Sequence, residues 1–170
     1  MNDRRRAALR VALPNKGRLS EKALELFEQA GLKATFRADR ALMASLGSDF
    51  QALMVRAADI PEFLADGAAE IGVTGADLVA ESGRELVEVL DLGFGSCRLV
   101  VAVRDESEAR SAADLPEGTR VATSFPRCAT RYFESLGTTI HLAPVSGAAE
   151  IAPHLGVADV IVDLTSTGST

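Results

Sequence analysis

The segment with the most chemistry lies near the end of the sequence. Val160-Ile161-Val162 is typical of a buried strand and leads into Asp163 and a run of hydroxyl side chains around one glycine. Loop amides and hydroxyls beyond the carboxyl end of a strand bind phosphate, and a carboxylate accepts hydrogen bonds from ribose hydroxyls. A Ser/Thr-rich turn without a ligand gives the same local pattern. The candidates for a phosphoribose site are Asp163, Thr165, Ser166, Thr167, Gly168, Ser169 and Thr170.

Three cations follow the ends of two other apolar runs. Lys16 and Arg18 flank a glycine after the run at residues 9–13, and Arg56 ends the run at residues 51–56. A guanidinium binds two phosphate oxygens at once, and positive charge beside free helix amides favours a pyrophosphate or triphosphate. Solvated turns whose cations bind nothing are the alternative. The segment is not a Walker A loop, which requires a longer glycine-bounded sequence ending in Gly-Lys-Ser/Thr.

Other polar residues are better explained by structure than by chemistry. We expect Asp59 and Asp77 to cap helices, Ser20 to be the N-cap of a helix that reaches Ala30, and Gly31 to end it. The two cysteines and two histidines have no partner at metal-ligand spacing, so we expect no metal site held by the protein.

The elements that position these residues follow from the apolar periodicity. Strands are predicted near residues 9–13, 51–56, 70–73, 86–92, 99–103, 120–123, 139–142 and 160–162, with helical segments between most of them. Strands that alternate with helices favour a mainly parallel sheet covered by helices. No internal repeat is evident.

Composition restricts the class of protein. The chain has 170 residues, of which 47% are hydrophobic and 25% charged, and a net charge of −6. This balance predicts a globular domain and argues against a nucleic-acid partner, which favours a broad basic surface. No apolar run approaches the roughly 18 residues of a membrane span, and we expect a cytoplasmic protein with no membrane partner.

Five segments in order resemble the ATP phosphoribosyltransferase family. They are residues 13–18, 56–61, 72–75, 91–99 and 162–168, so the resemblance covers nearly the whole chain. It implies an α/β, two-lobed fold like that of periplasmic binding proteins, with a ligand cleft between the lobes. The lobes would be 1–93 and 94–163, with the chain after about residue 164 returning to the first. In the family a helix and further strands follow, so we expect the sequence to lack that continuation.

The resemblance also implies a reaction and its site. Adenine N1 of ATP would attack the anomeric carbon of phosphoribosyl pyrophosphate, which the segment 163–170 would bind, and pyrophosphate would leave. Lys16, Arg18 and Arg56 would act on that leaving group, together with Mg²⁺ carried by the substrates. The family's ATP site corresponds to Arg18, Asp91, Leu92 and Glu150.

The implied partners depend on which form of the family this chain represents. We expect a homo-oligomer and, for the short form, a regulatory subunit resembling histidyl-tRNA synthetase. Two other functions stay open on the residues alone. One is a non-catalytic ligand-binding module, because a two-lobed fold also serves solute receptors and transcriptional effector domains. The other is a phosphoribosyltransferase that acts on a different base.

Overall fold

The structure, a computed structural model, describes residues 8–38 and 41–165. The chain divides into two compact units, Met1–Gly95 and Ser96–Thr170. Each unit has its own sheet, so the predicted α/β class is confirmed. Four strand pairings are parallel and three are antiparallel, so the strands are mainly parallel, as predicted, but they form two sheets with antiparallel edges. The predicted lobe boundaries, and the return of the chain to the first lobe after about residue 164, stay predictions. No helix in the described ranges is long and apolar enough to cross a bilayer.

The first unit contains a five-stranded sheet. Its strand order is β2-β3-β4-β1-β5; β1, β4 and β5 are parallel, and β3 is antiparallel to both β2 and β4. Apolar side chains of β1 and β4 form the core with helix α1. In chain order the elements are β1 (Leu9–Pro14), α1 (Gly17–Gln29), β2 (Ala34–Phe36), β3 (Met43–Leu46), β4 (Phe50–Val55), a 3-10 turn (Ala57–Asp59), α2 (Ile60–Ala65), β5 (Ile71–Gly72) and α3 (Ala76–Ser82).

The second unit contains a four-stranded sheet. Its order is β6-β9-β7-β8, in which β7 is parallel to both neighbours and β6 is antiparallel to β9. Phe133 of helix α4 is fully buried against β7 and β9. The elements are β6 (Arg98–Ala102), a 3-10 turn (Ala112–Asp114), β7 (Thr119–Thr123), α4 (Pro126–Ser135), β8 (Ile140–Pro144), a 3-10 turn (Ala149–Ile151) and β9 (Val160–Thr165).

One arginine braces the start of the first unit's central strand. Arg10 is the second residue of β1, and its guanidinium donates to a Glu70 carboxylate oxygen at 2.9 Å and to the Gly67 carbonyl at 3.0 Å. The backbone N–H of Arg10 donates to the same carboxylate at 2.7 Å, and that of Glu70 donates to the Arg10 carbonyl. These bonds join the beginnings of β1 and β5, and the bonds from Arg10 lower the pKa of Glu70.

The second unit repeats this arrangement, although the sequence analysis found no repeat. Arg120 is the second residue of β7 and donates to the Asp159 carboxylate at 2.6 Å and to the Gly156 carbonyl at 2.6 Å. Its backbone N–H also donates to that carboxylate. Residues 67–73 and 156–162 share the pattern Gly-x-Ala-acid-aliphatic-x-Val, and Val-Ala follows each arginine. The repeat is hard to detect in the sequence because its spacing differs between the units. The arginine and its carboxylate lie 60 positions apart in the first unit and 39 in the second.

Helix α1 begins earlier than predicted. Gly17 has φ of +76°, which lets the chain turn directly from β1 into the helix, so Ser20 lies buried in the first turn and Lys16 is the N-cap. The predicted end is confirmed. Gly31 has φ of +79°, and the N–H of Leu32 donates to the Phe27 carbonyl at 2.8 Å, as in a Schellman motif.

The predicted strand at residues 86–92 is wrong. Val87 and Val89 are 87% and 90% exposed, and no described strand pairs with this extended segment. Alternating apolar residues specify a strand only where a neighbour accepts the backbone hydrogen bonds. The sequence analysis also missed β2 and β3, which are short and partly exposed.

Candidate functional site

The three parallel strands of the first unit end at one edge of its sheet, here called its carboxyl edge. Pro14 at the end of β1 pairs with Val55 at the end of β4, and the Asn15 N–H donates to the Val55 carbonyl at 2.8 Å. On the other side of β1, the Val73 N–H donates to the Ala12 carbonyl at 3.0 Å. The loops that follow β1, β4 and β5 therefore lie side by side.

The loop after β1 carries two of the predicted cations. Lys16 and Arg18 are both exposed and flank Gly17, the first residue of α1. No side chain caps this helix, and its first turn contains no acidic residue. The amides that begin a helix have no intrahelical acceptors, so an anion bound here would meet free N–H groups as well as positive charge.

The loop after β4 carries the third cation. Arg56 follows Val55 directly and precedes the 3-10 turn Ala57–Asp59, and its side chain is exposed. The Thr74 hydroxyl, in the loop after β5, donates to the Ala57 carbonyl at 2.8 Å. A hydrogen bond therefore connects the loop after β5 to the 3-10 turn that follows Arg56.

These cations differ from the arginines that stabilise the fold. Arg10, Arg84 and Arg120 each bind a carboxylate, namely Glu70, Glu62 and Asp159. In the ranges 8–38 and 41–165, no hydrogen bond or ion pair engages the side chains of Lys16, Arg18 and Arg56. The carboxyl edge of the first unit thus carries three cations that have no carboxylate partner among the described residues.

The capping roles predicted for two aspartates need correction. Asp59 is at the N-cap of α2, but its side chain makes no capping hydrogen bond. Gly75, and not Asp77, is the N-cap of α3, and Asp77 lies in the first turn. There its negative charge complements the positive end of the helix. A Cβ on Gly75 would meet the Asp77 carboxylate, so this side chain would have to shift to admit one.

Two residues of the predicted ATP site lie in the segment after α3. The Asp91 carboxylate accepts a hydrogen bond from the Gly93 N–H at 2.8 Å, which forms a local turn, and Leu92 packs against the core. A Cβ on Gly95 would lie 3.6 Å from Leu19 of α1. This segment therefore reaches the first turn of the helix that carries Arg18.

The second unit has its own carboxyl edge, at the ends of β7, β8 and β9. Thr123 in β7 pairs with Val162 in β9, so the last residues of β9 extend beyond β7. Asp163 and Thr165 belong to this strand and not to a loop, because β6 pairs with β9 as far as Thr165. Alternation along a strand directs both side chains to one face. Asp163 is half-buried, and the Leu164 N–H donates to its carboxylate at 2.8 Å.

Glu150, the remaining residue of the predicted ATP site, lies near the same edge. It is exposed in the 3-10 turn that follows β8. Ala148, two residues earlier, has φ of +51°, the one positive value among the described non-glycine residues. The second unit therefore brings Asp163, Thr165 and the turn containing Glu150 to one edge, whereas Arg18, Asp91 and Leu92 belong to the first unit.

Comparison with known proteins gives the family. The model of the family described as HisG, ATP phosphoribosyltransferase, matches residues 56–170. An ATP phosphoribosyltransferase from Gemmatimonas aurantiaca is 63% identical over 165 residues, which are 95% of this chain and 56% of that protein. The chain belongs to the ATP phosphoribosyltransferase family.

Two further comparisons support this membership. The ATP phosphoribosyltransferase of Natronomonas pharaonis is 52% identical over 95% of this chain and 58% of its own length. The solved structure described as the ATP phosphoribosyl transferase (HisG:HisZ) complex from Thermotoga maritima has a TM-score of 0.80 at 35% identity, covering 94% of this chain and 75% of that chain. The chain thus spans little more than half the length of the curated family members it matches.

Part of the predicted phosphoribose site lies outside the described residues. Asp163 and Thr165 lie within the described residues. The remaining positions are Ser166, Thr167, Gly168, Ser169 and Thr170, and the binding roles predicted for all seven stay predictions. Within the described ranges, no three His, Cys, Asp or Glu side chains are grouped so that they could hold a metal ion. The sequence did not predict the hydrogen bond from the Thr74 hydroxyl to the Ala57 carbonyl. The repeat of the two units aligns Thr74 with Asp163.

Proposed function

We propose that this chain carries the catalytic region of an ATP phosphoribosyltransferase. In this reaction, the first step of histidine biosynthesis, adenine N1 of ATP displaces pyrophosphate from the anomeric carbon of phosphoribosyl pyrophosphate. Family membership and 63% identity to a named relative support the activity. The chain spans 56% of the length of that relative.

The observation that carries the proposal is the set of unpaired cations on the first unit's carboxyl edge. Both substrates are polyanions, and the leaving pyrophosphate gains charge as its bond to the anomeric carbon breaks. Cations without a carboxylate partner in the part of the chain that the structure describes are suited to that charge, and electrostatic groups fixed in advance need no rearrangement during the reaction. We assign Arg56 to pyrophosphate, with Lys16 and Arg18 beside it.

Polar groups of the second unit are assigned separately, to phosphoribosyl pyrophosphate. Asp163 at the end of β9 is assigned to the ribose hydroxyls, which donate to its carboxylate. Thr165 and the positions from Ser166 to Thr170 are assigned to the 5′-phosphate. The ATP assignments of Arg18, Asp91, Leu92 and Glu150 draw on both units and rest on the family resemblance.

The reaction needs orientation more than acid–base chemistry. Adenine N1 has a lone pair that attacks the anomeric carbon, the bond from that carbon to pyrophosphate oxygen breaks, and its electron pair leaves with pyrophosphate. No protein nucleophile takes part, so the protein acts by aligning the reactants and by stabilising the departing charge. Mg²⁺ is proposed to arrive on the substrate phosphates, since it favours phosphate oxygens and retained waters over an all-protein cage.

The proposal extends to partners and location. The Thermotoga maritima relative is described as a HisG:HisZ complex, which supports a regulatory subunit for this chain if it is of the short form. A homo-oligomer and a cytoplasmic location are proposed from the sequence.

The test is formation of both products by the full-length protein, together with its regulatory subunit where one exists. Incubation with ATP, phosphoribosyl pyrophosphate and Mg²⁺ is expected to yield phosphoribosyl-ATP and pyrophosphate in equal amounts. Replacement of ATP by other nucleobases as the phosphoribosyl acceptor tests for a phosphoribosyltransferase that acts on a different base. Binding of both substrates without turnover would instead indicate a ligand-binding module.

A further inference from the structure

Thr74 makes a contact that the proposed reaction does not explain. Its hydroxyl, half-buried in the loop after β5, donates to the Ala57 carbonyl at 2.8 Å. The two residues are 17 positions apart and belong to neighbouring loops of the carboxyl edge. The bond therefore joins the loop after β5 to the turn that begins at Arg56.

The backbone around Arg56 is held at successive positions. The Asn15 N–H donates to the Val55 carbonyl at 2.8 Å, and the Asp59 N–H donates to the carbonyl of Arg56 itself at 2.9 Å. The Thr74 hydroxyl fixes the next carbonyl, that of Ala57. No described residue forms a hydrogen bond or ion pair with the Arg56 guanidinium, so its position depends on the backbone of residues 55–57.

The repeated frame, which is Arg10 with residues 67–73 in the first unit and Arg120 with residues 156–162 in the second, has different residues at the position of Thr74. In the strand registers, Ile71 pairs with Val11 as Val160 pairs with Val121, which makes Asp163 the counterpart of Thr74. By the same registers Ser146 is the counterpart of Arg56. The Asp163 carboxylate accepts a hydrogen bond from the N–H of its own neighbour, Leu164, and no described residue of the turn after β8 bonds to it. Arg56 and the hydrogen bond from the Thr74 hydroxyl to the neighbouring turn therefore occur together in the first unit, whereas Ser146 and Asp163 take their places in the second.

We propose that Thr74 is a positioning residue that acts through Arg56: its hydrogen bond to Ala57 fixes the turn from which the guanidinium reaches pyrophosphate. This inference rests on the role of Arg56 in the proposed function. It predicts an effect on kcat, because small displacements of a group that acts on the transition state reduce the rate strongly.

A double-mutant cycle in the full-length enzyme tests the coupling. Thr74→Val keeps the side-chain shape and removes the donor, and we expect kcat to fall about tenfold with KM nearly unchanged. Thr74→Ser retains the hydroxyl and should recover activity to within about twofold. In an Arg56→Ala background, Thr74→Val should reduce kcat by less than about twofold, since the group it positions is gone. Thr74→Ala replaces Thr74→Val if the latter does not fold.

Thr119→Val is the matched control. The Thr119 hydroxyl also donates to a backbone carbonyl, that of Pro116 at 2.7 Å, but at the beginning of β7 in the second unit. We expect this variant to lose thermal stability without loss of kcat. A kcat loss from Thr74→Val of equal size in both Arg56 backgrounds would overturn the positioning role alone. Normal chemistry in Arg56→Ala would overturn the role of Arg56 and the inference with it.

Discussion

Arg10 in the first unit and Arg120 in the second make the same bonds, yet the carboxyl edges of their sheets carry different residues. At the beginning of each central strand the arginine binds a carboxylate, and it also binds the carbonyl of the glycine three residues before that carboxylate. At the carboxyl edge of the first unit, Lys16, Arg18 and Arg56 have no side-chain partner among the described residues. The corresponding edge of the second unit has Asp163, Thr165 and Glu150. The same arrangement at the beginnings of the strands therefore accompanies different residues at their ends.

The first prediction compares the helix that packs against the sheet of each unit. Phe133 of α4 is fully buried, whereas Phe27 of α1 is only partly buried. Phe133→Ala should lower the free energy of unfolding by about 3–5 kcal/mol, the usual cost of removing a core phenylalanine, and Phe27→Ala by less. Urea denaturation measures the cost, and hydrogen exchange assigns it to a unit. Equal costs would show that the two helices contribute alike despite their different burial.

The second prediction tests the cationic edge. Arg56→Ala should lose on the order of 2–4 kcal/mol of transition-state stabilisation, seen as a lower kcat in single-turnover formation of phosphoribosyl-ATP. Arg56→Lys should recover part of it, since lysine restores charge but not the planar pair of donors. Arg84→Ala is the control, because Arg84 is bound to Glu62 in the same unit. Unchanged chemistry in Arg56→Ala would leave Lys16 and Arg18 as candidates.

The third prediction tests the edge of the second unit. Asp163→Asn removes the charged acceptor proposed for ribose, and hydrogen bonds to charged groups contribute about 1.5–3 kcal/mol. Affinity for phosphoribosyl pyrophosphate, measured by calorimetry, should fall about 10- to 100-fold. Affinity for ATP, measured in parallel, should change little. A fall in kcat with unchanged affinity would instead give Asp163 the kind of role assigned to Arg56.

The fourth prediction concerns a position at which the repeated frames differ. Gly72 in β5 corresponds to Ile161 in β9. A Cβ on Gly72 would lie 2.7 Å from Ile60 and 2.9 Å from Leu64, because α2 packs closely on this strand. Gly72→Ala should therefore destabilise the first unit by about 1–3 kcal/mol. Ile161→Val, which removes one methylene group, should cost about 0.5–1.5 kcal/mol. A neutral Gly72→Ala in thermal melts would mean that α2 can shift.

The sequence predicted the central parallel strands because they are buried and their apolar runs are continuous. It also predicted Gly31 as the end of α1, where φ is positive and glycine is favoured. It failed for the segment 86–92, where alternation had no neighbouring strand to pair with. The end of α1 could be predicted because it depends on the conformation of one residue, whereas a strand at 86–92 would have depended on pairing with a distant segment.

In the candidate site, too, local features could be predicted from the sequence and long-range contacts could not. Cations and hydroxyls at strand ends were identifiable from residue types, and their proposed roles came from the family resemblance. The tether from Thr74 to Ala57 was not identifiable, since it joins loops 17 positions apart and depends on the register of two strands with β1. The internal repeat was the signal available in the sequence. Aligning residues 67–73 with 156–162 places Thr74 opposite Asp163, which residue type alone identifies as a candidate site residue.

The smallest expected effect concerns the shared frame itself. Hydrogen bonds from Arg10 lower the pKa of Glu70, and hydrogen bonds from Arg120 lower the pKa of Asp159. A carboxylate whose folded pKa is depressed stabilises the fold above its ordinary pKa, about 4, and this contribution is lost as the pH falls through the lowered value. The ion pairs therefore contribute fully at neutral pH and progressively less below about pH 4.

Arg10→Met and Arg120→Met test this pH dependence in the two units separately. Each variant should melt at a lower temperature than the wild type at pH 7, and the difference should shrink as the pH is lowered below about 4. The effect should be small, because all four side chains are between 40% and 47% exposed and solvent screens them. Neither variant should change kcat, since both arginines lie at the edge opposite the proposed site. If the repeat is structural, the two pH profiles should have the same form; a difference that persists at low pH in one variant would mean that its arginine acts through its bond to Gly67 or Gly156 and not through the carboxylate.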